Sequence, residues 1–151
     1  MRTHIKSTSA DMTQQLAQRL GRHLRGGEII ELLSDLGGGK TTFVRGLARG
    51  MGSHDGVRSP SFTVSNQYQA NDLTLYHFDF YRLDDPGVLA HELAEIMTDK
   101  KAIVAIEWAN IVAQVLTRPH LIISLKQTGE HTRDIVIDYP EEYNYLFQEQ
   151  T

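Results

Sequence analysis

Between Ile29 and Met51 the chain passes through an apolar run, a glycine-rich turn and an amphipathic repeat, and no other stretch restricts the fold as tightly. Ile29-Ile30-Glu31-Leu32-Leu33 has the composition of a short strand buried on both faces of a parallel sheet. Phe43, Val44, Leu47, Ala48 and Met51 then recur with helical period, and Gly50 and Gly52 are expected to close that helix. The turn between them reads Ser34-Asp35-Leu36-Gly37-Gly38-Gly39-Lys40-Thr41-Thr42. Glycines let consecutive backbone N–H groups converge on an anion, because no Cβ blocks the approach. The start of the following helix adds unpaired N–H groups and its positive dipole end. Lys40 would reach terminal phosphates as a point charge, and the Thr41 hydroxyl would ligate magnesium. The pattern G-x-x-x-x-G-K-[ST] is met except at its first position, where Ser34 stands. Binding of ATP or GTP phosphates with Mg2+ is therefore the first expectation; the loop reads phosphates and leaves the base open.

The rest of the chain supplies a frame for that unit. Thr8-Ser9-Ala10-Asp11 has capping-box spacing ahead of Met12, Leu16, Leu20 and Leu24, and Gly26-Gly27 follows. After a loop from Ser53 to Pro60, alternation from Phe62 to Tyr68 and again from Leu73 to Tyr81 predicts two strands joined at Asn71-Asp72. Asp84-Asp85-Pro86 predicts a helix start, continued by Leu89, Leu93 and Ile96. Ile103 to Ile106 is a second fully apolar strand, ending in Glu107-Trp108. Strands over Leu121–Leu125 and Ile135–Ile137, turning near Gly129, precede a short helical tail after about residue 140. Alternating strands and helices imply an α/β sandwich around a mixed sheet, and 151 residues suit a single domain, 1–151.

Hydrolysis beside a phosphate loop also calls for a carboxylate near magnesium. Glu107 ends an apolar strand, at the edge of a parallel sheet where ligands bind. Asp79 lies in Tyr76-His77-Phe78-Asp79-Phe80-Tyr81-Arg82, where alternation puts His77, Asp79 and Tyr81 on one face. A turn or a pairing with Arg82 competes with a functional role for Asp79. His77 gives no metal spacing and is read as structural. Trp108 adjoins Glu107, although a tryptophan's ordinary place is a core or an interface. Ser59-Pro60-Ser61-Phe62-Thr63 is either a segment sensing the terminal phosphate or a rigid turn.

Composition closes off several alternatives. With no cysteine the chain has no disulfide frame, thiolate metal site or cysteine nucleophile. The basic start, Met1 to Lys6, is not followed by the apolar run of a signal peptide. No stretch is long and apolar enough to cross a bilayer. The net charge of −4 offers no global attraction to nucleic acid, and Arg19, Arg22 and Arg25 read as a solvated helix face.

Four motifs in order carry a resemblance: Ser34 to Phe43, Arg58-Ser59-Pro60-Ser61-Phe62-Thr63, Tyr76 to Leu83, and Ile106-Glu107-Trp108. Together they resemble the TsaE (formerly YjeE) family, the bacterial ATPase of tRNA threonylcarbamoyladenosine (t6A) biosynthesis, over most of the chain. The resemblance implies a P-loop NTPase-like three-layer sandwich around a mixed, mostly parallel sheet, a cytoplasmic location and slow ATP hydrolysis. It implies partners, the TsaD–TsaB pair, which transfers a threonylcarbamoyl group to tRNA adenosine, so that tRNA is met only through that complex. By matching position, Asp35, Leu36, Gly37, Gly38, Gly39, Lys40, Thr41 and Thr42 would bind nucleotide. Thr41 and Glu107 would hold Mg2+, Glu107, Asp79 and Lys40 would serve catalysis, and Trp108 and Arg133 would touch nucleotide. Ser34 departs from the family's usual glycine, and Ala109 stands where proline commonly follows Glu-Trp.

Two other functions compete. A nucleotide-gated binding module would use ATP only to switch its affinity for a partner. A small-molecule kinase would need an arginine-bearing lid, and after Leu83 the only arginines are Arg118 and Arg133.

Overall fold

The computed structural model describes residues 1–35, 39–57, 65–81, 85 and 87–148. Seven strands form one sheet: β1 (Arg2–Ser7), β2 (Ile29–Leu33), β3 (Ser65–Ala70), β4 (Leu73–Asp79), β5 (Ala102–Glu107), β6 (Leu121–Gln127) and β7 (Arg133–Asp138). Their order across the sheet is β1-β7-β6-β2-β5-β4-β3. The central four, β6-β2-β5-β4, run parallel, whereas β3 and β7 flank them antiparallel and β1 pairs antiparallel with β7. All six residues of β5 are buried, as the apolar composition of a central parallel strand requires.

Helices α1 (Ala10–Arg22) and α2 (Lys40–Met51) cover one face, over a core that includes Leu20, Phe43, Leu47, Leu75, Ile103 and Ile123. Helix α3 (Val88–Ile96) and a 3-10 turn at Ala109–Val112 cover part of the other, over Phe78, Phe80, Leu93 and Ile106. The expected α/β layering is present. The alternation read along β4 holds, because Leu75 and His77 are buried on one side and Phe78 and Phe80 on the other, with those two rings stacked 5.6 Å apart. A second 3-10 turn, Glu141–Phe147, folds back on the first core through Leu146 and a Tyr139–Phe147 ring stack of 4.1 Å.

Several boundaries differ from the sequence reading, each for a tertiary reason. Strand β1 was not foreseen. It pairs with β7 residue for residue, from Arg2 with Asp138 to Ser7 with Arg133, a partner 130 residues away that local pattern cannot supply. Ser9 caps α1, accepting from the Met12 N–H at 3.0 Å, and the buried stripe runs through Thr13, Ala17 and Leu20 while Met12 is exposed. Gly50 does not end α2. It lies inside the helix, where a Cβ would collide with the Gln18 carbonyl of α1, and Gly46 and Gly21 meet the opposite backbone in the same way. Gly52, at φ 95°, is the real stop. Helix α3 starts at Val88 behind Gly87, with Asp85 accepting from the Gly87 N–H at 2.9 Å instead of capping the helix. The forecast start of β3 at Phe62 and the Pro86 helix start lie outside the described residues.

Candidate functional site

Three parallel strands deliver their carboxyl ends to one place. Leu32 on β2 is in register with Glu107 on β5, and Asp79 on β4 is in register with Glu107 from the other side. Helix α2 begins beside them after the glycine turn. Its N-cap, Gly39, has φ 100°, a left-handed conformation that only glycine adopts without strain, and no side chain caps the helix. Free amides at a helix start are the donors that an oxyanion needs. Ser34 has no positive φ, so serine at the first loop position is unstrained.

Lys40 opens α2 yet is only 7% exposed. Its ammonium donates to the Ser34 carbonyl at 3.3 Å, lies 3.4 Å from Glu107 Oε1 and stands 4.9 Å from the centre of the Trp108 ring. Glu107 is 4% exposed, and its second oxygen, Oε2, is 2.5 Å from Nε2 of the fully buried His77. A buried carboxylate persists only when paired and hydrogen-bonded, and here both oxygens are held.

Asp79 sits at the rim. Its Oδ1 accepts from the Tyr81 N–H at 3.0 Å. Burial pushes its carboxyl up; the Tyr81 bond opposes this and the Glu107 charge adds to it. Trp108 follows Glu107 at φ 59° and ψ 51°, the left-handed region that a bulky residue seldom occupies. Its ring lies 4.9 Å from Tyr81, and its buried Nε1 finds no acceptor among the described residues. Such strain costs on the order of 1–3 kcal/mol and clusters at functional sites.

On the far side of Gly39, a cavity of about 70 Å³ is lined by Ala10, Thr13, Gly39, Thr42, His131 and Arg133. The Arg133 Nε would lie 3.8 Å from a Cβ placed on Gly39. Lys40, Glu107, Asp79 and Trp108 thus converge, and Gly39, Thr42 and Arg133 form an adjoining wall. Thr41 is half-buried in the first turn of α2, its hydroxyl making no hydrogen bond to any described residue, and Asp35 is exposed. Leu36, Gly37 and Gly38 lie outside the described residues, as do the Arg58–Thr63 motif and Arg82.

One member was missed. His77, read as structural, touches the central acid. The available signal was its position two residues before Asp79 on the same strand face, and recognising the contact required the β4–β5 register, which pairs His77 with Ala105 and Asp79 with Glu107.

The family model described as "Threonylcarbamoyl adenosine biosynthesis protein TsaE" matches residues 7–135, a span holding every element of this site. The chain belongs to the TsaE family. Among TsaE relatives, the tRNA threonylcarbamoyladenosine biosynthesis protein TsaE of Bacillus subtilis is 31% identical over 134 residues, covering 86% of this chain and 81% of that one. The TsaE protein of Treponema pallidum is 35% identical over 131 residues, covering 87% and 96%. The crystal structure of Bacillus subtilis YdiB superposes with a TM-score of 0.77 at 27% identity, over 97% of this chain and 92% of that one. The TsaE resemblance drawn from four sequence motifs is therefore borne out, and so is the fold class it implied.

Proposed function

We propose that this chain binds ATP with Mg2+ and hydrolyses it slowly, as an accessory subunit of cytoplasmic t6A biosynthesis supporting threonylcarbamoyl transfer to tRNA adenosine by a TsaD–TsaB pair. The observation that carries the reading is the buried contact of Lys40 with Glu107 at the mouth of the strand–turn–helix unit. It brings a cation suited to a terminal phosphate within 3.4 Å of a buried acid at that sheet edge. Membership of the TsaE family supports the t6A pathway, and the partner pair, the step and the location are part of the proposal. No helix among the described residues is long and apolar enough to cross a membrane, which is compatible with that location.

The residues present fit a magnesium–nucleotide pair. No group of three or more His, Asp or Glu side chains among the described residues forms a metal cage. Mg2+ commonly needs none, since it binds through one or two protein ligands plus substrate phosphates. Thr41, with its hydroxyl unengaged, and Glu107 would hold it, and the ion would neutralise charge building on the transferred phosphoryl oxygens. Lys40 would exchange Glu107 for the terminal phosphates. Loop amides and the start of α2 would hold the remaining phosphate oxygens. Asp79 or Glu107 would orient the attacking water. A small cavity beside Thr42 and Arg133 adjoins the start of α2. Among the described residues the site holds one arginine, Arg133, engaged with the Thr132 carbonyl at 3.0 Å. With no further arginine at the site among the described residues, turnover should be slow until a partner completes it.

The test is phosphate release from Mg-ATP by the purified chain, alone and with TsaD–TsaB. Slow release alone, accelerated by the pair and reduced at least about a hundredfold in Glu107→Gln with ATP still bound, is expected, in line with the loss of one electrostatic group. Binding without release under any condition would mark a nucleotide-gated module instead. Release unchanged in Glu107→Gln would remove the acid assignment.

A further inference from the structure

The two oxygens of Glu107 have one holder each. Oε1 faces the Lys40 ammonium at 3.4 Å and Oε2 faces His77 Nε2 at 2.5 Å, and no other described group donates to the side chain. The holders differ in kind. Lys40 carries its charge on a flexible four-carbon stem, and in the proposed function it leaves Glu107 for a phosphate. His77 is fully buried in β4, a strand paired on both sides, with β3 and with β5. Its ring cannot follow a ligand.

The second ring nitrogen sharpens the point. His77 Nδ1 is buried and has no hydrogen-bond partner among the described residues. An apolar residue would fill that space without leaving a polar atom unpaired, so the imidazole's place there is explained by Nε2. With Nδ1 facing no acceptor, the consistent tautomer is the neutral ring with its proton on Nε2, donated to Oε2.

We propose that His77 is a positioning residue for Glu107: its Nε2–H pins Oε2, so that Oε1 stays turned toward the phosphate loop once Lys40 departs. This rests on the magnesium–nucleotide reading given above and deepens it. Without His77 the carboxylate would be free to rotate or to follow the ammonium, and Mg2+ would meet a poorly aimed ligand. A group that orients a ligand in this way is worth roughly 10–100-fold in metal affinity or activity.

Trp108, the sole tryptophan, lies beside Lys40 and reports binding by its emission. In His77→Leu, ADP affinity measured in EDTA should stay within about twofold of the wild type. The Mg2+ concentration for half-maximal tightening should rise by about 10–100-fold, and His77→Gln, which restores an N–H donor, should recover part of it. A folded His77→Leu protein with a wild-type Mg2+ titration overturns the proposal. So does an equal loss of ADP affinity with and without metal, the sign of a merely structural role. Glu107→Gln separates the two levels: if it keeps the wild-type metal requirement, the acid assignment fails and His77 falls with it. If it loses that requirement and His77→Leu does not, only His77 fails. Should His77→Leu not fold, nitrogen-15 spectra of the wild type decide. An Nε2–H proton shifted downfield and retained in the free, ADP and Mg-ADP states supports the pinning, and its loss on adding Mg2+ refutes it.

Discussion

Glu28 leads into β2 and Glu107 ends β5, so two buried glutamates stand at opposite ends of neighbouring parallel strands. Glu28 is fully buried and accepts from three donors: the Arg25 N–H at 2.6 Å, the Gly26 N–H at 2.8 Å and the Tyr145 hydroxyl at 2.8 Å. Two of these are backbone groups that go nowhere, and Arg25 closes the cluster by lying 4.0 Å over the Tyr145 ring. The Glu28 charge raises the Tyr145 hydroxyl pKa further above its usual range, after burial itself. Glu107 is held instead by two side chains, one of them on a flexible stem, beside a helix start with no side-chain cap, a left-handed tryptophan and an indole N–H with no acceptor among the described residues. A carboxylate saturated by fixed donors is a scaffold. One held by one fixed ring and one ammonium on a flexible stem, amid unspent hydrogen-bonding capacity, has a donor free to change partners in the proposed function. The two ends of the same sheet therefore differ less in charge or burial than in how completely their polar groups are spent.

The largest effect expected from this contrast is on stability at the Glu28 end. Glu28→Ala leaves two N–H groups and a hydroxyl without their acceptor, a loss of about 1 kcal/mol for each such part-buried bond. The unfolding free energy from urea melts should drop by about 2–3 kcal/mol, while Mg-ATP affinity per folded molecule stays unchanged. Tyr145→Phe, which removes one donor and keeps the ring, should cost about 1 kcal/mol. A Glu28→Ala protein as stable as the wild type, or one folded but unable to bind nucleotide, would break the division between scaffold and site.

Gly39→Ala attacks the other end. At φ 100° an alanine is strained by about 1–2 kcal/mol, and its Cβ would sit 3.8 Å from the Arg133 Nε. Nucleotide affinity by calorimetry should fall about tenfold, the equivalent of 1.4 kcal/mol, with only a small shift in the melting temperature of the free protein if the loop relaxes. The converse change at the head of the loop is gentler. Ser34 lacks a positive φ, so Ser34→Gly relieves nothing and adds unfolded-state freedom worth about 0.4–1 kcal/mol. Its expected signature is a slightly lower melting temperature at unchanged affinity. An affinity gain would show that the loop wants a conformation serine resists.

What was legible in the sequence follows the same contrast. The strand–turn–helix unit, the acid after a wholly apolar strand and the opposed faces of β4 could be read because each depends on neighbours within a few residues. Strand β1, which exists only through β7, and Gly50, which serves the α1–α2 contact rather than a helix stop, could not. The cap falls at Ser9 rather than Thr8, a one-residue difference at a helix end that local pattern does not resolve. The His77–Glu107 contact hid for a different reason. Thirty residues separate them, and only the register of two parallel strands makes them neighbours. Glu28 and Glu107 themselves look alike in sequence, each a glutamate abutting an apolar run. Which end of the strand each occupied was readable, and how its charge is satisfied was not.

The smallest effect probes a third carboxylate, the part-buried Glu31 on β2, paired through Oε2 with His120 Nε2 at 2.9 Å. The other ring nitrogen of His120 faces the Arg118 carbonyl at 3.1 Å. With acceptors on both sides, the ring satisfies both only as an imidazolium, and its pKa is raised, chiefly by the Glu31 hydrogen bond and against the opposing cost of burial. The sign follows from linkage. A folded pKa above the unfolded value of about 6.5 gives a stabilisation fully present below that pH and lost as pH rises through the folded pKa. The wild type should therefore lose a little stability between pH 6 and 8, less than about 1 kcal/mol for a pair with some solvent access. His120→Gln should flatten that slope. The pair lies on β2 and at the entry to β6, away from Lys40, so the Mg2+ dependence of nucleotide binding should not follow it. If both change together, this carboxylate belongs with Glu107 rather than with Glu28, and the line between the two ends of the sheet has been drawn in the wrong place.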